Sequence, residues 1–326
     1  MNTSMSKLII SLDFELIWGI FDRVSPGQKE GYFARTKAVI PEVLSLFREF
    51  HVQATWATVG MLMTESRADW DQLKPTILPE YRNKSLCPYR WIAQYGYDPL
   101  LHSADGLIEQ IISCPGQELA SHTFSHFYSQ AEGAGLSAFD ADLKMARQVA
   151  QQKYGQRLRT LVFPRNQYSE EHLKICLQNG FSTVRINPGD WFWKEPEKAG
   201  FWKKAFRTAD AYLPLSHKTS FALSKTDISS GRPLQLPASR LLKPFNPSFS
   251  GLNELKLRRV MHEMTTAAQL GEGYHLWWHP HNFGMHPKEN LAALRQILLH
   301  YQSLHDRYGM QSLNMAKLSD LLLHKP

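Results

Sequence analysis

The sequence predicts an α/β fold in one domain, and three observations lead to this class. Short runs of apolar, strand-forming residues alternate with longer segments of helical periodicity, as in a parallel sheet or barrel. No internal repeat or low-complexity tract breaks this alternation, and no long polar linker divides the chain. The 326 residues, 43% of them hydrophobic, are enough to bury a sizeable core. We therefore expect a single domain over residues 1–326.

The predicted strands are short and apolar, and the predicted helices carry a regular apolar face. The first apolar run, residues 8–12, is typical of a buried parallel strand. Four of the helical segments are followed by a glycine, the residue that most readily adopts the left-handed conformation of a helix end. Strands are expected at residues 8–12, 52–59, 161–163, 181–186 and 274–278, and helices at residues 36–50, 107–112, 139–154, 169–179, 253–270 and 288–308.

Two segments, near residues 64–104 and 188–250, have no clear period, and we interpret them as loop insertions over the C-terminal face of the strands. The first is rich in large aromatic side chains, which either pack into a cover or offer a surface on which a ligand ring can stack. The second is rich in proline, serine and lysine.

The segment Ser121–His126 carries two imidazoles four residues apart. On a helical turn His122 and His126 would be neighbours on one side. Neutral imidazole is the commonest metal-binding side chain, and a carboxylate would complete a set of two histidines and one acid with an open position for water. The alternative is that both histidines are ordinary surface or cap residues.

Asp13 and Glu15 follow the first apolar run. Functional side chains collect at the carboxyl ends of parallel strands, and the two-residue period of a strand points both carboxylates to the same side. One of them near a metal stays ionised, while the other takes up a proton. The alternative interpretation makes Asp13 a helix N-cap with Glu15 in the first turn.

His279 lies at the end of the last predicted strand, which Pro280 terminates. A histidine at this position can act as a general acid near neutral pH. The alternative is a structural histidine held by hydrogen bonds.

The order of these motifs resembles the polysaccharide deacetylases, the NodB-homology group of carbohydrate esterases. The segment Ser11–Glu15 looks like the family's first motif, Ser121–His126 like its second and His275–Pro280 like its last. The segment Ala54–Gly60 is similar to the family's second strand. The resemblance extends over most of the chain and implies a distorted (β/α) barrel.

The resemblance also implies an activity, the removal of an N-acetyl group from an acetamido sugar by a metal-dependent hydrolase. Glu15, His122 and His126 would hold one divalent ion, Zn²⁺ first and Co²⁺ or Ni²⁺ as alternatives. Asp13 would be the general base and His279 the general acid.

The chain departs from the family pattern at several positions. Phe14 stands where many members have the metal-binding acid, so we assign that role to Glu15, one residue later. Arg165 follows Pro164, whereas the family has the arginine first, and we expect Arg165 to orient Asp13 by a charge-assisted hydrogen bond. Substrate contacts are expected from the looser motif positions Asn166, Asp190, Trp191 and Trp278.

The forms of the first and last motifs resemble a subgroup associated with bacterial surface-polysaccharide assembly. Lys and Arg number 37 against 30 acids, a net charge of +7, which favours an anionic substrate such as a sugar on a nucleotide or lipid diphosphate. No block of basic residues supports nucleic-acid binding. Two alternatives stay open, a hydrolase of another C–N bond (formyl or cyclic amide) and a catalytically inactive sugar-binding homologue.

The three cysteines are far apart and fit a reducing compartment. With no signal peptide and no apolar run long enough for a transmembrane segment, we expect a cytoplasmic protein. The sequence fixes neither the oligomeric state nor roles for Asp22, His281 and Asn282.

Overall fold

One curled sheet of parallel-paired strands dominates the computed structural model, which describes residues 5–25, 30–193, 200–213, 215, 218–223 and 231–323. Its strand order is β6-β5-β4-β3-β2-β1-β8-β7, and β9 pairs with the first part of β1. The strands are β1 (Lys7–Phe14), β2 (Ala54–Thr58), β3 (Gln117–Ser121), β4 (Thr160–Val162), β5 (Thr183–Ile186), β6 (Leu234–Pro237), β7 (Arg240–Leu241), β8 (Gly273–Trp278) and β9 (Gln311–Ser312).

The sheet is curled so that its two end strands, β6 and β7, lie close together. Two residues, Ala238 and Ser239, connect them. The Ala238 amide donates to the Ile186 carbonyl of β5 at 2.9 Å, and the Ser239 amide donates to the His275 carbonyl of β8 at 2.8 Å. These two residues therefore bridge the two edges of the sheet. The expected distorted (β/α) barrel is confirmed.

The six predicted helices are present with shifted ends, and the first begins earlier than expected, at Glu30. The first aperiodic segment contains three short helices, α2 to α4, and the second contains α8 together with β6 and β7. Helices within the described residues are α1 (Glu30–Glu49), α2 (Arg67–Gln72), α3 (Pro88–Tyr95), α4 (Pro99–His102), α5 (Asp105–Ser113), α6 (Leu136–Tyr154), α7 (Glu170–Gln178), α8 (Phe201–Ala209), α9 (Ser250–Leu270), α10 (Pro287–Tyr308) and α11 (Met315–Leu323).

The interior of the barrel changes from apolar to polar along β1. Ile9 packs in a small buried cluster with leucines of β6 and with Leu318 of α11, which covers the amino ends of the strands. Two and four residues further along the same face come Ser11 and Asp13, both buried. Charged groups inside the barrel therefore lie toward its carboxyl end, where the strand loops can expose them to a substrate.

Candidate active site

Asp13 is held at the carboxyl end of β1 by a buried arginine from the opposite side of the barrel. The Arg185 guanidinium, on β5, donates to both oxygens of Asp13, with Nη1–Oδ1 2.7 Å and Nη2–Oδ2 2.8 Å. The Asp13 residue is 3% exposed and Arg185 is fully buried. Burial raises the pKa of Asp13, but Arg185 and His122 outweigh it and leave the pKa below its usual value. Asp13 is therefore ionised and fixed in orientation.

Arg185 is itself oriented by several contacts. Nη1 donates to the Ser11 hydroxyl at 3.0 Å, and Nη2 donates to the Asn166 side-chain oxygen at 3.0 Å. The guanidinium carbon lies 4.2 Å from the centre of the Trp277 ring, a cation–π contact. The sequence offered one signal for this residue, a charged side chain inside an otherwise uncharged strand segment.

The prediction that Arg165 orients Asp13 is wrong. Arg165 donates to Asp22 at 2.8 Å and lies over the Tyr128 ring, 4.1 Å from its centre. The reason is local backbone geometry, because Arg165 and Asn166 both have left-handed φ angles, 55° and 52°, in the turn after β4. The turn directs the Asn166 side-chain oxygen to Arg185, and Arg165 pairs with the loop after β1 instead.

Glu15, His122 and His126 converge at the same end of the barrel. The Nε2 atoms of His122 and His126 lie 3.3 Å and 3.1 Å from one oxygen of Glu15, and the three ligand atoms all lie within 4.8 Å of one another. Gly19 leaves room for this carboxylate, since a Cβ there would come within 2.0 Å of Glu15 Oε1. The three predicted metal ligands are thus brought together.

The loop after β3 carries both histidines, and it is irregular rather than the helical turn that we expected. Thr123 and His126 have φ angles of 63° and 53°, which an α-helix does not allow. The loop is held by hydrogen bonds from neighbouring elements. The His122 amide donates to the Thr58 carbonyl at 2.9 Å, and the Gly60 amide donates to the Thr123 carbonyl at 2.9 Å.

Asp142 of α6 fixes the middle of this histidine loop. Its side chain is buried and accepts from the Phe124 amide at 2.6 Å, from the Ser125 amide at 3.1 Å and from the Ser125 hydroxyl. Burial raises the pKa of Asp142 to about 7, against the opposing effect of these three donors. Sequence reasoning missed this residue because a single acid on a helix gives no sign of what it contacts.

The donor set fits a divalent cation. Among the described residues, the Nδ1 atoms of His122 and His126 are buried without a hydrogen-bond partner, while both Nε2 atoms face one carboxylate oxygen. Burial raises the pKa of Glu15, but His279 and the hydrogen bonds from His122 and His126 lower it well below its usual value. One ionised carboxylate and two imidazole nitrogens are ligands that Zn²⁺ accepts in proteins.

His279 follows β8 and faces both carboxylates. Its Nε2 atom lies 3.8 Å from Asp13 Oδ2 and 3.7 Å from Glu15 Oε1, and its side chain is 26% exposed. His281, to which the sequence gave no role, places Nδ1 3.8 Å from Glu15 Oε1. Burial lowers the pKa of His281 to about 4, so this imidazole is neutral near pH 7.

The predicted substrate contact of Trp278 is wrong. Trp278 is fully buried and packs against Phe47 and Phe283 in the layer outside the barrel. Alternation along β8 places Trp277 on the inner face with His275 and His279, and Trp277 contacts Arg185 and the His279 ring. The sequence already indicated this orientation, because adjacent residues of a strand point to opposite faces and Trp278 is adjacent to His279.

The other predicted substrate contacts stay predictions. Asn166 is part of the site through its bond to Arg185. Asp190 and Trp191 follow β5, where Trp191 is 50% exposed and packs against Phe206 of α8. Of the aromatic residues in the first insertion, Trp70 is buried in a stack on Trp18, whereas Tyr95 is 47% exposed.

The family model for polysaccharide deacetylases matches residues 15–184, more than half of the chain. The chain belongs to the polysaccharide deacetylase family. The matched range includes Glu15, His122 and His126, while Asp13 and His279 lie outside it, so their inclusion in this deacetylase-type site rests on the distances above. No curated protein matches the chain by sequence.

Solved structures share the fold of this deacetylase-family chain at low sequence identity. A polysaccharide deacetylase candidate from Mycobacterium smegmatis superposes with a TM-score of 0.63 at 14% identity, over 99% of this chain and 92% of its own. A comparable candidate from Pseudomonas aeruginosa gives 0.57 at 13% identity, over 98% and 91%. An allantoinase gives 0.58 at 11% identity, over 99% and 92%. Across the described residues we find no helix with the length and apolarity that crossing a bilayer requires.

Proposed function

We propose that this member of the family is a metal-dependent N-deacetylase that acts on an acetamido sugar. The observation that carries the proposal is the convergence of Glu15, His122 and His126 within 4.8 Å, beside a second carboxylate, Asp13, that Arg185 holds in place. Such a site combines a ligand set for one cation with a separate, oriented base, the parts that amide hydrolysis requires.

Glu15, His122 and His126 would hold the ion, and nitrogen and oxygen ligands of this kind make Zn²⁺ the first choice. When bound, such an ion polarises an acyl oxygen and lowers the pKa of a water molecule. The chain supplies the remaining functions. Arg185 keeps Asp13 ionised and turned toward the cluster, so Asp13 can accept a proton from the attacking water.

In the proposed mechanism His279 gives a proton to the leaving amine. Its Nε2 atom faces both carboxylates from the last strand, and its partial exposure leaves a path for a substrate. Histidine is the side chain that most often transfers protons as a general acid or base in enzymes. The reaction consumes one water molecule and gives acetate and a free amino sugar.

Acetate release tests the proposal. The zinc-reconstituted protein is incubated with neutral and with nucleotide-linked acetamido sugars, and acetate and free amine are measured together. We expect release by the parent and at least about a hundredfold loss in Asp13→Asn with bound metal retained. Asp71→Asn, which changes an exposed surface acid, is the matched control. A metal-loaded parent that releases acetate from none of these substrates would contradict the proposal.

A second candidate is hydrolysis of another C–N bond, because the fold is shared with an allantoinase. Product analysis separates the two, since opening of a cyclic amide releases no acetate. A sugar-binding function without turnover is a third candidate, and it predicts that Asp13→Asn keeps sugar affinity while the parent shows no hydrolysis of either kind.

A further inference from the structure

A groove with a basic rim lies beside the candidate active site. It has a volume of about 460 Å³, within the range typical of ligand pockets. The loop after β1 forms one wall, and the segment that leads into α3, with α3 itself, forms the other. Its lining includes Asp22, Arg23, Lys84, Arg90, Trp91 and Tyr95.

The groove carries an excess of positive charge. Its acid, Asp22, is already paired with Arg165 at 2.8 Å and lies 3.7 Å from the Arg23 guanidinium. Lys84 and Arg90 are exposed, and neither forms an ion pair with any carboxylate in the described part of the chain. Three cations therefore face a groove whose carboxylate is already neutralised, which favours an anionic ligand.

The α3 wall of the groove is aromatic. Trp91 and Tyr95 lie with ring centres 5.0 Å apart, and Tyr95 is 47% exposed. The exposed part of the Tyr95 ring is suited to stacking on a sugar or a base.

Aromatic contacts connect the groove to the predicted metal ligands. Phe21, on the groove wall, lies 6.2 Å between ring centres from Tyr128, and the Tyr128 ring lies 5.1 Å from the His126 ring. Arg165 joins the same path, because it pairs with Asp22 and covers Tyr128. Two aromatic rings, Phe21 and Tyr128, thus separate the groove from His126.

We propose that this groove binds a phosphate or diphosphate attached to the acetamido sugar, with Arg23, Lys84 and Arg90 as its charge partners. The inference rests on the proposed function and narrows it to a phosphate-carrying substrate. A nucleoside diphosphate and a lipid diphosphate share this chemistry, and Tyr95 offers a stacking surface to a base in the first case.

Binding of inorganic pyrophosphate tests the groove without any turnover. Calorimetric titrations use the parent, Lys84→Ala/Arg90→Ala, and the control Arg48→Ala/Arg82→Ala, which removes the same charge outside the groove. All three are repeated with His122→Ala/His126→Ala added, to remove binding through a metal. We expect the groove variant to bind at least about tenfold more weakly, the control to bind like the parent, and the affinity to fall with salt.

No binding by the parent, or equal losses in the groove and control variants, would overturn the proposal. Competition between pyrophosphate and two acetamido sugars, one nucleotide-linked and one linked to a short prenyl diphosphate, then identifies the carrier. Displacement by either supports the groove, and displacement by neither overturns it. Acetate release from neutral sugars without pyrophosphate binding would overturn this inference and leave the proposed function standing. Pyrophosphate binding without any acetate release would overturn the proposed function, and would leave the groove as an anion site without an assigned sugar.

Discussion

The buried ion pair of Asp13 and Arg185 fixes the geometry of the site more than it stabilises the fold. Taking two charges out of water costs more than a simple pair returns, so such pairs are weak evidence for stability. This pair instead fixes the orientation of one carboxylate through two parallel hydrogen bonds of 2.7 Å and 2.8 Å. Preorganisation of this kind lowers an activation barrier without reorganisation during the reaction.

Replacing Arg185 by lysine should therefore reduce catalysis more than folding. Lys keeps the charge beside Asp13 but cannot donate in parallel to both oxygens. We expect kcat for acetate release to fall at least about tenfold with bound metal unchanged. The matched control is Arg159→Lys, which alters a pair with Asp320 at the opposite end of the barrel. Equal kcat values in Arg185→Lys and the parent would refute the positioning role.

Replacing Asp142 by asparagine should loosen the histidine loop. Asn keeps one acceptor but turns an NH₂ group toward the donors of Phe124 and Ser125, leaving buried groups unpaired. We expect a loss of about 2 kcal/mol in the free energy of unfolding and weaker zinc binding. Urea unfolding and zinc titration measure both. Asp140→Asn, on the same helix at a more exposed site, should change neither, and identical behaviour of the two variants would count against the role of Asp142.

Site residues that belong to a sequence motif could be predicted. Site residues that only the fold brings into contact could not. Asp13, Glu15 and His279 stand at strand ends, so strand geometry alone brings them to one edge. Arg185 and Asp142 contact their partners across 172 and 17 residues of sequence, which no local pattern records. Arg165 stands next to a proline as in the family motif, but its left-handed backbone directs its side chain to Asp22 and not to Asp13.

At the scale of elements, the turn after β2 and the histidine loop after β3 pack as a unit. Gly60 and Met61 donate their amides to the carbonyls of Thr123 and Phe124, both at 2.9 Å. The loop backbone includes two left-handed non-glycine residues, each of which costs about 1 kcal/mol or more, so surrounding contacts must enforce it. Spacing in the sequence could not show this, because it gave the three residues between the histidines but not the path of the backbone through them.

The close approach at Gly60 gives an element-scale prediction. A Cβ there would lie 2.6 Å from the Phe124 ring and 3.0 Å from the Phe124 Cα, so Gly60→Ala must push the histidine loop. We expect a loss of about 1–3 kcal/mol in stability together with reduced zinc affinity. The control is Gly106→Ala in α5, where a Cβ meets nothing within 4 Å. This substitution should stabilise the protein slightly, because alanine favours a helix more than glycine does. Zinc affinity that is equal in both variants would contradict the coupling of the two turns.

At the scale of the whole molecule, the alternation of strands and helices was enough to predict the α/β class. The strands β3, β6, β7 and β9 were not predicted. β3 includes Gln117 and Glu118 and so lacks an apolar run, whereas β6 and β7, which close the barrel, and β9 have four residues or fewer each. The role of β6 and β7 follows from long-range pairing, with Ala238 and Ser239 bridging β5 and β8. The sequence therefore predicted five of the nine strands, whereas the inner strand β3 and the closure of the barrel needed the structure.

The pH dependence of stability tests the buried state of His102, which packs among Trp18, Trp91 and Tyr97. Burial lowers its pKa to about 4, with Asp98 and Lys37 as the facing charges, whereas the unfolded value is about 6.5. Its contribution to stability is thus complete above about pH 6.5 and is lost as the pH falls toward 4.

Urea unfolding of the parent and of His102→Gln at several pH values checks this sign. Between about pH 6.5 and pH 4 the parent should lose about 1.4 kcal/mol per pH unit more than the variant does. His262→Gln, which changes an exposed histidine, should follow the parent. Parallel curves for the parent and His102→Gln would show that His102 is not buried in the neutral form.

The central claim, that Glu15, His122 and His126 form one divalent metal site, is tested most directly by metal content. Elemental analysis is made on the parent, on His122→Ala/His126→Ala, and on His51→Ala/His262→Ala, which removes two exposed histidines. We expect one divalent ion per chain in the parent and in the control, and none in the site variant. A parent that holds no metal after reconstitution with zinc, cobalt or nickel, or a site variant that keeps its full content, would contradict the account.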